Sequence, residues 1–399
     1  MTRQVQDAYV VAAVRTPVGK APRGMFRDTR PDDLLAHVLR AVAARVPSLD
    51  LAAVDDVIVG CALPEAEQGM NVARIGLLLA GFPDSVAGLT VNRFCASGLQ
   101  AVAQAADRIC LGAADVMVAG GTESMSRVPL GGNRISFNEA VFAGDADVGI
   151  AFGMGLTAEN VATRWKVARE DQDAFSVESH RKALAAIAGG EFREEIAPFT
   201  ITARVPDLTG ERIAVVEKIV GIDEGPRAGT TMEVLGRLRP VFASSGSVTA
   251  GNSSQTSDGA GAVILASEAA LKRFGLTPLA RFVGYAVAGV SPGIMGIGPI
   301  AAVPKLLAQT GIRQDDIAWI ELNEAFAAQS LAVIRELGLH PSRINPLGGA
   351  IALGHPLGAT GAIRTATIVH GLRRKGQRYG MVTMCVGTGM GAAGLFEAV

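Results

Sequence analysis

Thr90-Val91-Asn92-Arg93-Phe94-Cys95-Ala96-Ser97-Gly98-Leu99-Gln100 joins two kinds of periodicity. Gly88 to Asn92 reads as a strand. After it, Leu99, Val102, Ala103, Ala106 and Ile109 recur at three and four residues, the spacing of a helix face that begins near Cys95. A cysteine at such a junction faces the unpaired N–H groups of the first helical turn and the positive end of the helix dipole. Both favour thiolate, the nucleophilic form. Cys95 is therefore a candidate nucleophile, and the alternative is a buried packing cysteine.

Working outward, the same alternation of buried strand and helix recurs. Ala8 to Val14 and Val54 to Gly60 are continuous apolar runs, the pattern of strands covered on both faces. Pro31-Asp32-Asp33 opens a helix whose inner face is Leu34, Leu35, Val38, Leu39 and Val42. Ala114 to Ala119 is a further strand. From Met125 to Ala250 strands become scarce, with helices expected over Gly155 to Trp165 and Glu170 to Ala188. So long an irregular stretch reads as an inserted subdomain. Strand and helix then return from Ala260 to Cys385.

The chain contains an internal repeat. Asp55-Asp56-Val57-Ile58-Val59 matches Asp315-Asp316-Ile317-Ala318-Trp319-Ile320 at an offset of 260. Cys95 at a helix start matches His355, also at 260, and Val116 onward matches Val382 onward at 266. Two similar α/β lobes follow, with equivalent loops meeting at a pseudo-twofold axis. That axis brings Cys95, Asn323, His355 and Cys385 toward one cleft.

Composition bounds the function. The 399 residues carry a net charge of −1, which gives no nucleic-acid footprint. No apolar run approaches the ~18 residues of a membrane span. The polar start, Met1 to Asp7, lacks a signal-peptide core. Cys61, Cys95, Cys110 and Cys385 show neither metal spacing nor a disulfide framework, which points to a reducing compartment, the cytoplasm. Gly389 to Gly394 fits G-x-G-x-x-G but lies too near the C-terminus for a dinucleotide-binding unit.

Among the histidines, His37, His180 and His370 read as surface positions and His340 as a loop residue. His355 stands apart in the Gly-rich turn Gly354-His355-Pro356-Leu357-Gly358. Cysteine with histidine suits acyl transfer, the histidine acting as base. A second cysteine, Cys385, adds a proton-transfer group whose ordinary pKa of about 8.5 suits exchange with a carbon acid. The pair is equipped for making or breaking a carbon–carbon bond beside a thioester. Backbone N–H groups in Gly387-Thr388-Gly389 and at Cys95 can meet developing oxyanions.

The blocks Val91 to Gln100, Asn323-Glu324-Ala325-Phe326-Ala327, Gly348 to Gly361 and Cys385 to Gly391 resemble the thiolases, the acyl-CoA C-acetyltransferases, in order and spacing over essentially the whole chain. The resemblance implies an α/β fold of duplicated βαβαβαββ halves in five layers, α-β-α-β-α, with an inserted loop domain. It implies an N-terminal half of residues 1–124 plus 251–274, a coenzyme A-binding loop domain of 125–250 and a C-terminal half of 275–399. It implies Cys95 as nucleophile, Cys385 as acid/base, His355 as the activator of Cys95 and, with a water held by Asn323, as one oxyanion hole, and the N–H groups of Cys95 and Gly387 as the other. Met154, Arg227, Ala250, Ser254, Met295, Ala325 and Phe326 match positions lining the coenzyme A or acyl pocket. Coenzyme A is a substrate, no cofactor is permanently bound, and a homodimer or homotetramer is expected.

Gly153-Met154-Gly155 in place of His-Met-Gly, and the short segment from Met125 to Gly153, are similar to degradative 3-ketoacyl-CoA thiolases. The expected reaction is thiolytic cleavage of a 3-ketoacyl-CoA. The alternatives are a biosynthetic acetoacetyl-CoA enzyme, a ketosynthase-type enzyme, a Cys-His-Asn hydrolase and a non-catalytic acyl-CoA-binding protein.

Overall fold

The computed structural model describes residues 5–144, 147–207, 209–210 and 212–399. Met1 to Gln4, part of the polar start, lie outside the described residues. The first lobe runs β1 (Ala8–Arg15), β2 (Gly19–Lys20), α1 (Pro31–Ala44), β3 (Asp56–Gly60), α2 (Val72–Leu79), β4 (Ala87–Val91), α3 (Ser97–Cys110) and β5 (Val116–Ser124). Next come α4 (Met154–Arg164), α5 (Arg169–Ala188), β6 (Phe199–Asp207), β7 (Arg212–Val220) and α6 (Met232–Gly236). Then follow β8 (Ser257–Ser267), α7 (Glu268–Phe274), β9 (Ala280–Gly289), α8 (Gly298–Thr310), β10 (Ile317–Leu322), α9 (Ala327–Leu337), α10 (Ala350–Leu353), α11 (Leu357–Lys375), β11 (Tyr379–Val386) and β12 (Met390–Ala398).

The main sheet has the order β10-β11-β12-β9-β1-β8-β5-β3-β4. Each half has the same pattern. In the first, β3 pairs parallel with β4 and β5, and β5–β8–β1 continue antiparallel. In the second, β10 and β11 are parallel and β11–β12–β9 antiparallel. A parallel bridge from Ile320 to Ile344 stands where the first half has β4. The halves are one continuous sheet, because β1 also pairs with β9 through Tyr9–Arg281 and Val10–Ala280.

Helices α3 and α11 pack on each other between the lobes, while α1 and α2 cover one outer face and α8 the other. Burial follows: α11 is buried from Leu357 through Val369, polar Thr365 and Thr367 included. The central helices meet through glycine. A Cβ on Gly361 would lie 2.0 Å from the Leu99 nitrogen, and one on Gly98 would lie 2.7 Å from that of Ala362. Only backbone-to-backbone contact brings the two N-terminal turns so close. Around them, side chains such as Leu99, Met117 and Trp319 are buried, each contributing about 1.5–3 kcal/mol.

Three expectations change. The strand-poor segment contains the two-stranded hairpin β6–β7, whose pairing runs from Phe199–Val220 to Asp207–Arg212. Its alternating apolar residues are mostly exposed, so no buried run signalled it. Strand β5 extends to Ser124, since Thr122, Glu123 and Ser124 are fully buried with polar partners. And α3 begins at Ser97, so Cys95 sits in a preceding 3-10 turn, Phe94–Ala96.

Candidate active site

The Cys95 turn is built by local polar contacts. Asn92 Oδ1 accepts the Phe94 N–H at 2.8 Å, and Ser97 Oγ accepts the Arg93 N–H at 2.9 Å and donates to the Phe94 carbonyl at 2.6 Å. They hold Phe94 at φ 43°, a left-handed conformation that costs a bulky residue about 1–2 kcal/mol. The turn packs against α11 on one side and β11 on the other. His355 lies just before α11, and Cys385 lies on β11.

His355 is 4 % exposed and Asn323 1 %. Asn323 Nδ2 donates to His355 Nε2 at 3.3 Å, and His355 Nδ1 meets Thr360 Oγ1 at 2.6 Å. A donor at Nε2 assigns the proton to Nδ1 and leaves Nε2 as the basic nitrogen. The His355 N–H donates to Ser257 Oγ at 3.0 Å, tying the turn to β8. Asn323 is fixed by donating its own N–H to the Thr383 carbonyl at 2.9 Å, two residues from Cys385. Its Oδ1 is buried without a partner among the described residues.

Electrostatics alter the picture drawn from the helix start. Burial pushes the Cys95 thiol up to about 12; the N–H groups of Gly387 and of Cys95 itself oppose this, and the Glu123 carboxyl adds to it. The expected thiolate is therefore a neutral thiol at rest: desolvation outweighs the helix terminus. Cys385 is pushed up by burial and by neighbouring Cys95. Burial, with Arg364 second, lowers His355 to about 3, so its imidazole is neutral. The cleft holds two thiols and a neutral base, with peptide N–H groups at the sulfur.

Glu123 fastens the lobes at this point. It accepts the N–H groups of Ala62 at 2.7 Å, Leu63 at 3.3 Å and Gly358 at 2.8 Å, and a short hydrogen bond from Gln68. Gly358 lies in the first turn of α11, whereas Ala62 and Leu63 follow β3.

The other expected residues fall into two adjoining groups. Met154, Met295, Ala325 and Phe326 form one apolar cluster with Cys385. Arg227 and Ala250 line a cavity of about 370 Å³. Ser254 bridges the groups by donating its N–H to the Ala325 carbonyl at 2.9 Å.

Histidines read as surface are not. His180 is 6 % exposed, lines the same cavity, and accepts the Arg227 N–H at Nδ1 over 3.1 Å. His37 and His370 are part-buried against the carbonyls of Ala197 and Ala13. For His180 a signal existed: Gln172, Asp173, Ser176, Ser179 and His180 repeat at helical spacing with Ala183, a buried polar stripe. Nothing local marked Glu123, whose partners come from three segments.

Residues 8–269 match the family model described as thiolase, N-terminal domain, and 276–398 the one described as thiolase, C-terminal domain. A 3-ketoacyl-CoA thiolase of Bacillus subtilis (strain 168) is 49% identical over 395 residues, 98% of this chain and 100% of its own. Peroxisomal 3-ketoacyl-CoA thiolase 2 of Arabidopsis thaliana is 47% identical over 393 residues, 98% of this chain and 84% of its own. The crystal structure of the Bacillus anthracis acetyl-CoA acetyltransferase is similar with a TM-score of 0.89 and 39% identity, covering 100% of both chains.

Proposed function

The chain belongs to the thiolase family, and from that premise we propose how its residues work. The reaction is thiolytic cleavage of a 3-ketoacyl-CoA by coenzyme A, an acyl transfer without a permanently bound cofactor. The observation that supports these residue roles is the convergence of Cys95, Cys385 and the Asn323–His355 pair on one buried cleft.

Cys95 attacks the 3-keto carbon as its proton passes to His355 Nε2. Transfer accompanies attack, because burial holds both groups neutral beforehand. The oxyanion is met by the N–H groups of Cys95 and Gly387. The C2–C3 bond breaks, and the C2 carbanion of the departing acetyl-CoA takes the Cys385 proton. Its enolate oxygen is met at the Asn323–His355 pair. Coenzyme A then gives its thiol proton to the Cys385 thiolate and attacks the acyl group. Cys95 leaves and regains its proton from His355. Run backward, the sequence is a Claisen condensation.

Residues 125–250 serve as the loop domain for coenzyme A, with Arg227 near the nucleotide. Met154, Met295, Ala325 and Phe326 form the wall of the acyl pocket. A fatty-acid β-oxidation role suits relatives named 3-ketoacyl-CoA thiolase. A cytoplasmic location suits four free cysteines, although several relatives are named as peroxisomal. A homo-oligomer is favoured by the free edge of β4, where Leu89 is 44 % exposed and nearby Met70 92 %. The solved relative named acetyl-CoA acetyltransferase supports the second reading, a short-chain biosynthetic enzyme. Coenzyme A-dependent cleavage of 3-ketoacyl-CoAs from four to sixteen carbons decides. Turnover of longer chains supports the degradative role, turnover of acetoacetyl-CoA alone the second, and none at all refutes both.

A further inference from the structure

Gln255 carries a donor that nothing among the described residues uses. It lines the cavity that also holds Arg227, Ala250, Ser253 and His180. Its side-chain Nε2 is buried and has no hydrogen-bond partner among the described residues. Two glycines make room for it: a Cβ on Gly225 would lie 2.4 Å from this nitrogen, and one on Gly354 2.8 Å. The amide is thus wedged between the loop leading to Arg227 and the turn leading to His355.

Its backbone is equally well placed. The Gln255 carbonyl accepts Ser257 Oγ at 3.0 Å, and that same hydroxyl accepts the His355 N–H at 3.0 Å. The next residue, Thr256, bridges to His355. The backbone of Gln255 therefore adjoins the His355 turn, whereas Arg227 and His180, also on the cavity wall, are hydrogen-bonded to each other.

A buried donor without an acceptor is costly, and a ligand acceptor removes that cost. The chemistry of the donor narrows the acceptor. An uncharged amide beside Ser253 and Ile351 suits a neutral carbonyl better than a phosphate. Coenzyme A supplies such groups in the two secondary amides between its nucleotide and its thiol. We propose that Gln255 is a specificity-determining residue that donates from Nε2 to an amide carbonyl of the pantetheine arm, and so selects coenzyme A over simple thiols. The proposal rests on the coenzyme A reading of this cavity.

The test is Gln255→Met, which keeps the length and removes the donor. With saturating 3-ketoacyl-CoA, the KM for coenzyme A is expected to rise on the order of tenfold, the size of one hydrogen bond, with kcat nearly unchanged. With ethanethiol as acyl acceptor, which has no amide, KM should not move. An unchanged KM for coenzyme A, or an equal rise for both thiols, overturns the proposal. If Gln255→Met does not fold, Gln255→Asn, which shortens the reach, is held to the same outcomes. Equilibrium binding of desulfo-coenzyme A separates the two levels. No binding to the wild-type protein refutes the coenzyme A reading itself, and equal binding to wild type and variant refutes only the role of Gln255.

Discussion

Asn323 Nδ2 donates to His355 Nε2 at 3.3 Å, while Nδ1 of the same ring meets Thr360 at 2.6 Å. The ring is clamped at both nitrogens, and its basic nitrogen is aimed at the amide that shares the cleft. Asn323→Ala removes a donor placed for negative charge. A fall in kcat of about 10²–10³-fold is expected, with the KM for coenzyme A little changed. Steady-state kinetics check it, and a loss carried by KM instead would contradict the assignment.

Cys385 lies at the end of β11, fully buried and close enough to Cys95 to raise its own pKa through that neighbour. Cys385→Ala should still accept an acetyl group from acetyl-CoA onto Cys95, seen as a mass increase, but should neither condense nor cleave. Condensation at the wild-type rate would remove its role in proton transfer.

Cys95, held up to about 12 by burial, is a thiol at neutral pH. Alkylation by iodoacetamide should therefore accelerate continuously from pH 7 to pH 10. A plateau below pH 8 would reveal a thiolate already formed at rest and restore the expectation drawn from the helix start.

Acid should destabilise the fold through buried histidines. His355 is lowered to about 3 and His180 to about 4, from an ordinary 6.5. The unfolded chain takes up their protons first. Their contribution is complete above pH 6.5 and is lost as pH falls toward 4 and then 3. Glu321, pushed up to about 7 by burial, has the opposite sign: its contribution fades as pH rises from 4.5 through 7. The urea midpoint of His180→Gln should fall less steeply than that of wild type between pH 6.5 and pH 4. Parallel curves would exclude His180 as a source.

Glu123 accepts peptide N–H groups from both lobes. Glu123→Gln turns one oxygen into a donor facing donors, and a loss on the order of 3 kcal/mol is expected. Urea unfolding measures it; a loss under about 0.5 kcal/mol would mean that the lobes are held together by other contacts.

The repeat, the strand–helix alternation and the chemistry-bearing residues were legible in the chain alone, because hydrophobic period and glycine-rich turns are local properties. Cys95, Asn323, His355 and Cys385 were singled out from their motifs and the repeat. Three matters were decided only by packing. The protonation of Cys95 follows from desolvation, which depends on what covers the sulfur and not on the helix beneath it. The place of His180 follows from the fold of α5 against the Arg227 loop, 47 residues away. The partners of Glu123 and the unused donor of Gln255 exist only where distant segments meet. A sequence records which groups a chain possesses; burial, fixed by tertiary contact, sets their charge and leaves some of them unpaired.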